Sequence, residues 1–224
     1  AGNTLYWIGD SGDWNDNTHW STTSGGSPAF TVPTSNDLVI VDDNSFDGVG
    51  ENKITLQQNQ SVRLLKWISN HTSSLDFQSN VLTVAQGATF ANSHFSALGT
   101  GTLSLLSGAI SGSAFFADNN LGSIRIKTTG EWSLSGDFSV NQVEVVAGKL
   151  SVANSKIDLN SLKAIDATAK SLNLKNVILN LKTESEINGM SLDWIATDSK
   201  ILVTNGSVTF NWNNVDFSGE LEVD

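Results

Sequence analysis

The sequence predicts an all-β chain wound as a right-handed parallel β-helix, on three observations. Short strands with one apolar face recur along it, they recur at a near-constant interval, and small polar turns join them with almost no proline. Leu82-Thr83-Val84, Leu103-Ser104-Leu105, Ile124-Arg125-Ile126 and Val143-Glu144-Val145 each alternate with the two-residue period of a half-buried strand. Their starts lie 21, 21 and 19 residues apart. A repeat of roughly 20 residues holding two or three short strands is the signature of a solenoid, in which each coil buries its apolar face against its neighbours. Antiparallel hairpins are the competing reading. Two-residue Asn-Gly turns occur only at Asn188-Gly189 and Asn205-Gly206, and the even spacing of very short strands favours coils.

The remaining apolar pairs fall between these strands. They are Phe90 and Phe95, Phe115 and Phe116, Trp132 and Leu134, and Leu150 and Val152, followed by Leu172/Leu174, Ile178/Leu179/Leu181, Ile201/Val203 and Val208/Phe210/Trp212. One stretch departs from the pattern. Ser161 to Lys170 is rich in Ala and Lys, residues of helical preference, and between close strands it reads as a loop or irregular coil. Residues 1–50 differ in texture, with three of the seven Trp, both prolines and dense Asp, Gly and Asn. A solenoid end exposes apolar core and unpaired strand edge, so it needs a cover. Residues 1–50 are the expected N-terminal cap and 51–224 the solenoid, the two forming one domain.

Bulk composition narrows the function classes. Charged residues are only 16% and hydrophobic residues 39%, while Gly numbers 19 and Pro 2, which fits strands and turns better than long helices. The formal net charge of −11 repels a phosphate backbone, so nucleic acid is excluded as a partner. With no cysteine there is no disulfide, no thiolate nucleophile and no Cys-based zinc site. No apolar run approaches the roughly 20 residues that span a bilayer. Ala1-Gly2-Asn3-Thr4 fits a start following signal cleavage as well as an internal boundary.

The first 50 residues hold the most specific pattern. Tyr6-Trp7-Ile8-Gly9-Asp10-Ser11-Gly12-Asp13-Trp14-Asn15-Asp16-Asn17-Thr18-His19-Trp20-Ser21 resembles an N-terminal signature of large bacterial surface proteins, roughly Y-W-V-G-G-x-G-x-W-S-D-x-x-H-W-S. Pro33 to Asp37 with Val39 to Phe46 is similar to that family's second element, and Ile54-Thr55-Leu56 with Val62 to Trp67 to its third. Asp10 stands where the family usually has Gly, and the cysteine often found before the third-element Trp is absent. The resemblance covers about residues 5–70. It implies a β-helical, adhesin-like region of a protein exported by gliding or biofilm-forming bacteria through the type IX route. It also implies a secreted or cell-surface location, and a fragment of a longer protein, since the family's C-terminal sorting domain is missing.

Physically, Trp7, Trp14 and Trp20 would each bury about 150–250 Å² and so plug an open solenoid end. Gly9 and Gly12 supply turns closed to other residues, and His19 and Asp16 read as hydrogen-bonding orienters within the plug. The rival reading is an aromatic platform for sugar rings. Asp10, Asp13 and Asp16, with Asp42 and Asp43 downstream, read first as turn-stabilising carboxylates and second as Ca²⁺ ligands, although no EF-hand loop or Gly-rich nonapeptide array is present. Apart from that Ca²⁺, no cofactor is expected.

Catalytic constellations are weak. His19, His71 and His94 lack metal spacing, and there is no nucleophile elbow or phosphate loop. Only Arg63 and Arg125 offer a lyase base of the arginine type, about three coils apart, and nothing in the spacing links Asp158, Asp166 and Glu184 as a hydrolase needs. Trp67, Trp132, Trp194 and Trp212 lie in or beside strands, where inward packing is the first expectation and sugar binding the second. The expected function is thus a non-enzymatic display or attachment module, monomeric as a segment, whose partner is an extracellular polysaccharide or surface glycan. A carbohydrate-binding module and a β-helical polysaccharide lyase or hydrolase are the alternatives.

Overall fold

A computed structural model describes the backbone of residues 2–90, 94–106, 108–112, 114–116, 124–164, 170–181, 185–188, 192–203, 208–211 and 215–223. Side chains are described for residues 2–90, 94–106, 124–133, 136–137, 139–163, 171–181 and 196–203. The chain is all-β, a parallel β-solenoid whose one short helix among the described residues is the 3₁₀ turn Asn17–His19.

Three stacks of parallel strands make three faces. The first face runs from Thr4–Trp7 through Leu38–Val41 and the second half of Gln60–Trp67, and continues coil by coil to Val215–Ser218 in the last strand. Gly12–Asp13, Lys53–Thr55, Ser73–Asp76 and Phe95–Leu98 begin the second face. The third contains Val81 to Val84, Thr102–Leu105, Arg125–Thr128 and Gln142 to Val145. Thr102–Leu105 alternates as its sequence predicts, and Ser73–Asp76 likewise buries every second residue. Stacking then places like on like. Leu82, Leu103, Ile126, Val143 and Leu162 form one inward row of the third face, all buried. One continuous apolar cluster extends from Leu5 to Val203, so residues before position 50 share the core of those after it.

Corners between the first and second faces are fixed by residues with left-handed backbone. Asn154, Asn176 and Asp198 have φ of 52°, 53° and 49°, in successive coils, and Gly136 (φ 102°) holds the same place one coil earlier. Asn is one of the few residues with a side chain that tolerates this conformation. The Asn176 amide also donates to Asn154 Oδ1 at 2.9 Å, 22 residues away, joining the coils. Buried Ser155 and Ser199 follow the corners, and Ser199 Oγ donates to Thr197 O while accepting from Val177 N.

The structure corrects one sequence expectation. Ser161 to Ala164 is not a loop but the end of the long strand Gly148–Ala164, with Leu162 inward and in register with Val143. Cross-strand partners on the neighbouring coil outweigh the weak helical preference of Ala and Lys. Lys170, at the far end of that stretch, opens the next strand, Lys170–Leu181, and residues 165–169 lie outside the described residues. Among the described residues no helix is long and apolar enough to cross a membrane.

Candidate functional site

The N-terminal signature folds into a compact aromatic plug. Trp7, Trp14 and Trp20 are fully buried. Trp20 packs edge-on against both others, with ring centroids 5.0 Å from Trp7 and 4.9 Å from Trp14. The strand Trp20–Ser21 returns antiparallel to Thr4–Trp7, pairing Trp7 with Trp20 and Tyr6 with Ser21. It thereby covers the outer edge of the first face, which would otherwise present unpaired backbone groups. Indole N–H groups tie the plug to the chain: Trp7 Nε1 donates to Asp10 O at 2.6 Å and Trp20 Nε1 to Trp14 O at 2.8 Å. Trp14 Nε1 is buried without a partner.

His19 completes the plug. Its ring stacks on Trp7 at 4.6 Å and 2° between planes, and its Nδ1 lies 2.7 Å from Ile8 O. The imidazole also lies close against Gly9 and Gly12. A Cβ on Gly12 would come within 2.8 Å of His19 Cδ2, and Gly9 has φ +82° besides. The Trp-x-Gly-x-x-Gly spacing is therefore the footprint of one close-packed histidine. All six signature residues serve the plug, and no indole of it is free to stack on a sugar ring.

The carboxylates hold separate turns and side chains. Asp10 Oδ1 accepts from Asp47 N at 2.6 Å, and Asp13 Oδ1 from Gln57 Nε2 at 2.8 Å. Asp16 caps the 3₁₀ turn, accepting from the Thr18 N–H and hydroxyl. The Thr18 hydroxyl first, then its N–H, hold the Asp16 carboxyl below its ordinary pKa. Asp43 is held low in the same way, chiefly by the Asn70 N–H and then the Asn70 amide. Asp42 accepts from Ser24 Oγ at 2.6 Å and from Asn44 N at 3.0 Å. Among the described residues no group of three or more His, Asp or Glu side chains converges as a metal cage requires.

Other candidates are equally dispersed. His71 lies against Gly48, while His94 is exposed on the next coil. Arg63 Nε donates to Asn36 O at 3.0 Å, fastening a corner, and Arg125 is exposed on the third face. Asp158 accepts from Asn180 Nδ2 at 3.1 Å. Asp166 and Glu184 lie outside the described residues, as do the side chains of Trp194 and Trp212. Trp67 and Trp132 point inward and are 2% exposed.

A shallow groove of about 270 Å³ lies on the outside of the second face, beside Glu51, Lys53, Thr72, Ser74, Ser96 and Leu98. Register creates it. Lys53, Ser74 and Ser96 occupy one outward row on three successive coils, and Asp76 and Leu98 share the next row. Lys53 Nζ is 3.0 Å from Glu51 Oε2, and that contact, with help from Asp76, holds the ammonium above its ordinary pKa. No sequence motif marks the groove, because its residues come from coils about 20 residues apart; only the register reveals it. No family model, curated protein or solved structure matches this chain.

Proposed function

We propose that this chain is a stiff, non-enzymatic display or attachment module of a secreted or cell-surface bacterial protein. The single supporting observation is the uninterrupted core from Leu5 to Val203. Each coil adds about 4.8 Å of rise through parallel pairing on all three faces, so the molecule works as a rigid spacer with repeated polar rows on its outside. The carboxylates bear on chemistry in the same direction. Asp10, Asp13, Asp16, Asp42 and Asp158 each hold a particular turn or neighbouring amide rather than facing one another across a cleft. The plug accounts for the Trp-rich signature without calling on a ligand.

Two measurements test this reading. Small-angle scattering should give the constant cross-section of a rod. Incubation with neutral and acidic polysaccharides, with and without Ca²⁺, should leave polymer length unchanged on gel filtration. Shortened polymer would overturn the non-enzymatic reading, and a flexible-chain scattering profile would overturn the rigid spacer.

A further inference from the structure

We propose that the groove on the second face is a subsite for a neutral glycan, an assignment that goes beyond the role of rigid spacer. Its floor is rich in hydroxyl groups. Ser74 and Ser96 stack in register with Lys53 on strands about 4.8 Å apart, with Thr72 at the adjoining turn. Sugar hydroxyls both donate and accept, and this row presents both functions, with the Glu51 carboxylate as a further acceptor and the Lys53 ammonium as a further donor. Leu98, half-buried at the end of the groove, offers the apolar contact that the C–H face of a pyranose needs. At about 270 Å³ the groove is slightly smaller than a drug-sized pocket, which suits a short stretch of a chain lying across the coils.

Charge selects the class of glycan. Lys53 is already neutralised by Glu51, with Asp76 close by, so the groove offers no free cation for a carboxylate. The chain's net charge of −11 also repels a polyuronate.

A second observation concerns Asn52, which lies between Glu51 and Lys53 in the chain. Asn52 is 5% exposed, has φ 47°, and donates from Nδ2 to the carbonyl of Thr72, itself a groove residue. Its Oδ1 is buried with no donor. That oxygen is closed to the groove, so the part Asn52 plays is to fix the turn at Thr72 through its Nδ2 bond.

The test is affinity electrophoresis of the whole chain in gels containing β-glucan, mannan or xylan, with polygalacturonate as the acidic comparison. At least one neutral polymer should retard the protein, and polygalacturonate should retard it less. Ser74→Trp, which fills the groove, and Lys53→Ala should each weaken apparent affinity at least fivefold. Ser104→Trp, at an outward position of the third face, should leave it unchanged. Thermal midpoints by circular dichroism establish that each variant is folded, and Lys53→Ala carries the test if Ser74→Trp is not. No retardation by any neutral polymer, stronger retardation by polygalacturonate, or equal behaviour of Ser104→Trp and the groove variants would overturn the assignment. None of these results touches the spacer reading, which fails only on polymer shortening or on flexibility.

Discussion

Thr128 sits in the inward row of the third face, 1% exposed, with Leu105 in register on one neighbouring coil and Val145 on the other. Its hydroxyl is buried and has no hydrogen-bond partner. Valine has nearly the same shape and the same strand preference, so Thr128→Val removes the stranded hydroxyl and leaves the packing intact. A buried hydroxyl without a partner costs about 1–3 kcal/mol, and we expect Thr128→Val to stabilise the chain by about 1.5 kcal/mol. With a urea m-value of about 3 kcal/mol/M, the unfolding midpoint should rise by about 0.5 M. The neighbouring residue supplies the control. Thr129 is exposed, and its hydroxyl donates to Leu105 O at 3.3 Å. Thr129→Val makes the same chemical change in the same coil and should move stability by no more than about 0.5 kcal/mol, towards loss. Urea titrations followed by far-ultraviolet circular dichroism report both variants. A lowered or unchanged midpoint for Thr128→Val would mean that the hydroxyl is satisfied and the reasoning wrong.

The plug permits a similar pairwise test. Trp14→Phe discards an indole N–H that has no partner, whereas Trp20→Phe breaks the bond to Trp14 O. Thermal denaturation should show Trp20→Phe to be the more damaging by about 2 kcal/mol, and the reverse order would refute the assignment of the two indoles. Asp37 is 3% exposed; burial pushes its pKa up, but the N–H of Asn3, the hydroxyl and N–H of Thr34, and the Arg63 charge outweigh burial and hold it below the ordinary 3.8. Because the folded pKa is the lower one, its contribution is complete above the unfolded value and is lost as pH falls through the folded value. Asp37→Asn should therefore cost about 2 kcal/mol at pH 7 and flatten the acid limb of a stability–pH profile, whereas an unchanged limb would count against it. Within the core, a cavity of about 30 Å³ lies among Ile126, Val140, Val143, Val152, Leu159 and Leu174. At about 24 cal/mol per Å³, filling it with Val140→Ile should gain up to about 0.7 kcal/mol in chemical denaturation, and a loss above about 1 kcal/mol would show that the space is not usable.

Strand rows were legible because inward parity is a local property. Leu82, Leu103, Ile126 and Val143 are recognisable from three-residue windows and lie on one row in the structure. The plug was legible for a similar reason, since Trp7, Trp14, Trp20 and His19 fall within a short segment. Three things were not. The antiparallel return of Trp20–Ser21 rests on two paired residues, too few for a periodic signal. The corner stack of Asn154, Asn176 and Asp198 depends on left-handed backbone at residues 22 apart, and nothing in the composition separates these from the chain's many other Asn and Asp. The groove needs Lys53, Ser74 and Ser96 in one register, and a shift by one residue would turn each of them to the opposite side of the sheet.

The antiparallel pair Trp7–Trp20 also bears on self-association. A parallel solenoid grows into a filament when the trailing edge of one copy accepts the leading edge of the next, and such head-to-tail propagation needs two open ends. On the first face, Trp20–Ser21 runs in the opposite direction to every strand behind it, so the leading edge cannot serve as the next rung of a parallel stack. Head-to-tail joining between copies is then blocked on this face. A β-rich chain thereby gains a built-in limit on fibre formation at the same place where its apolar core is sealed.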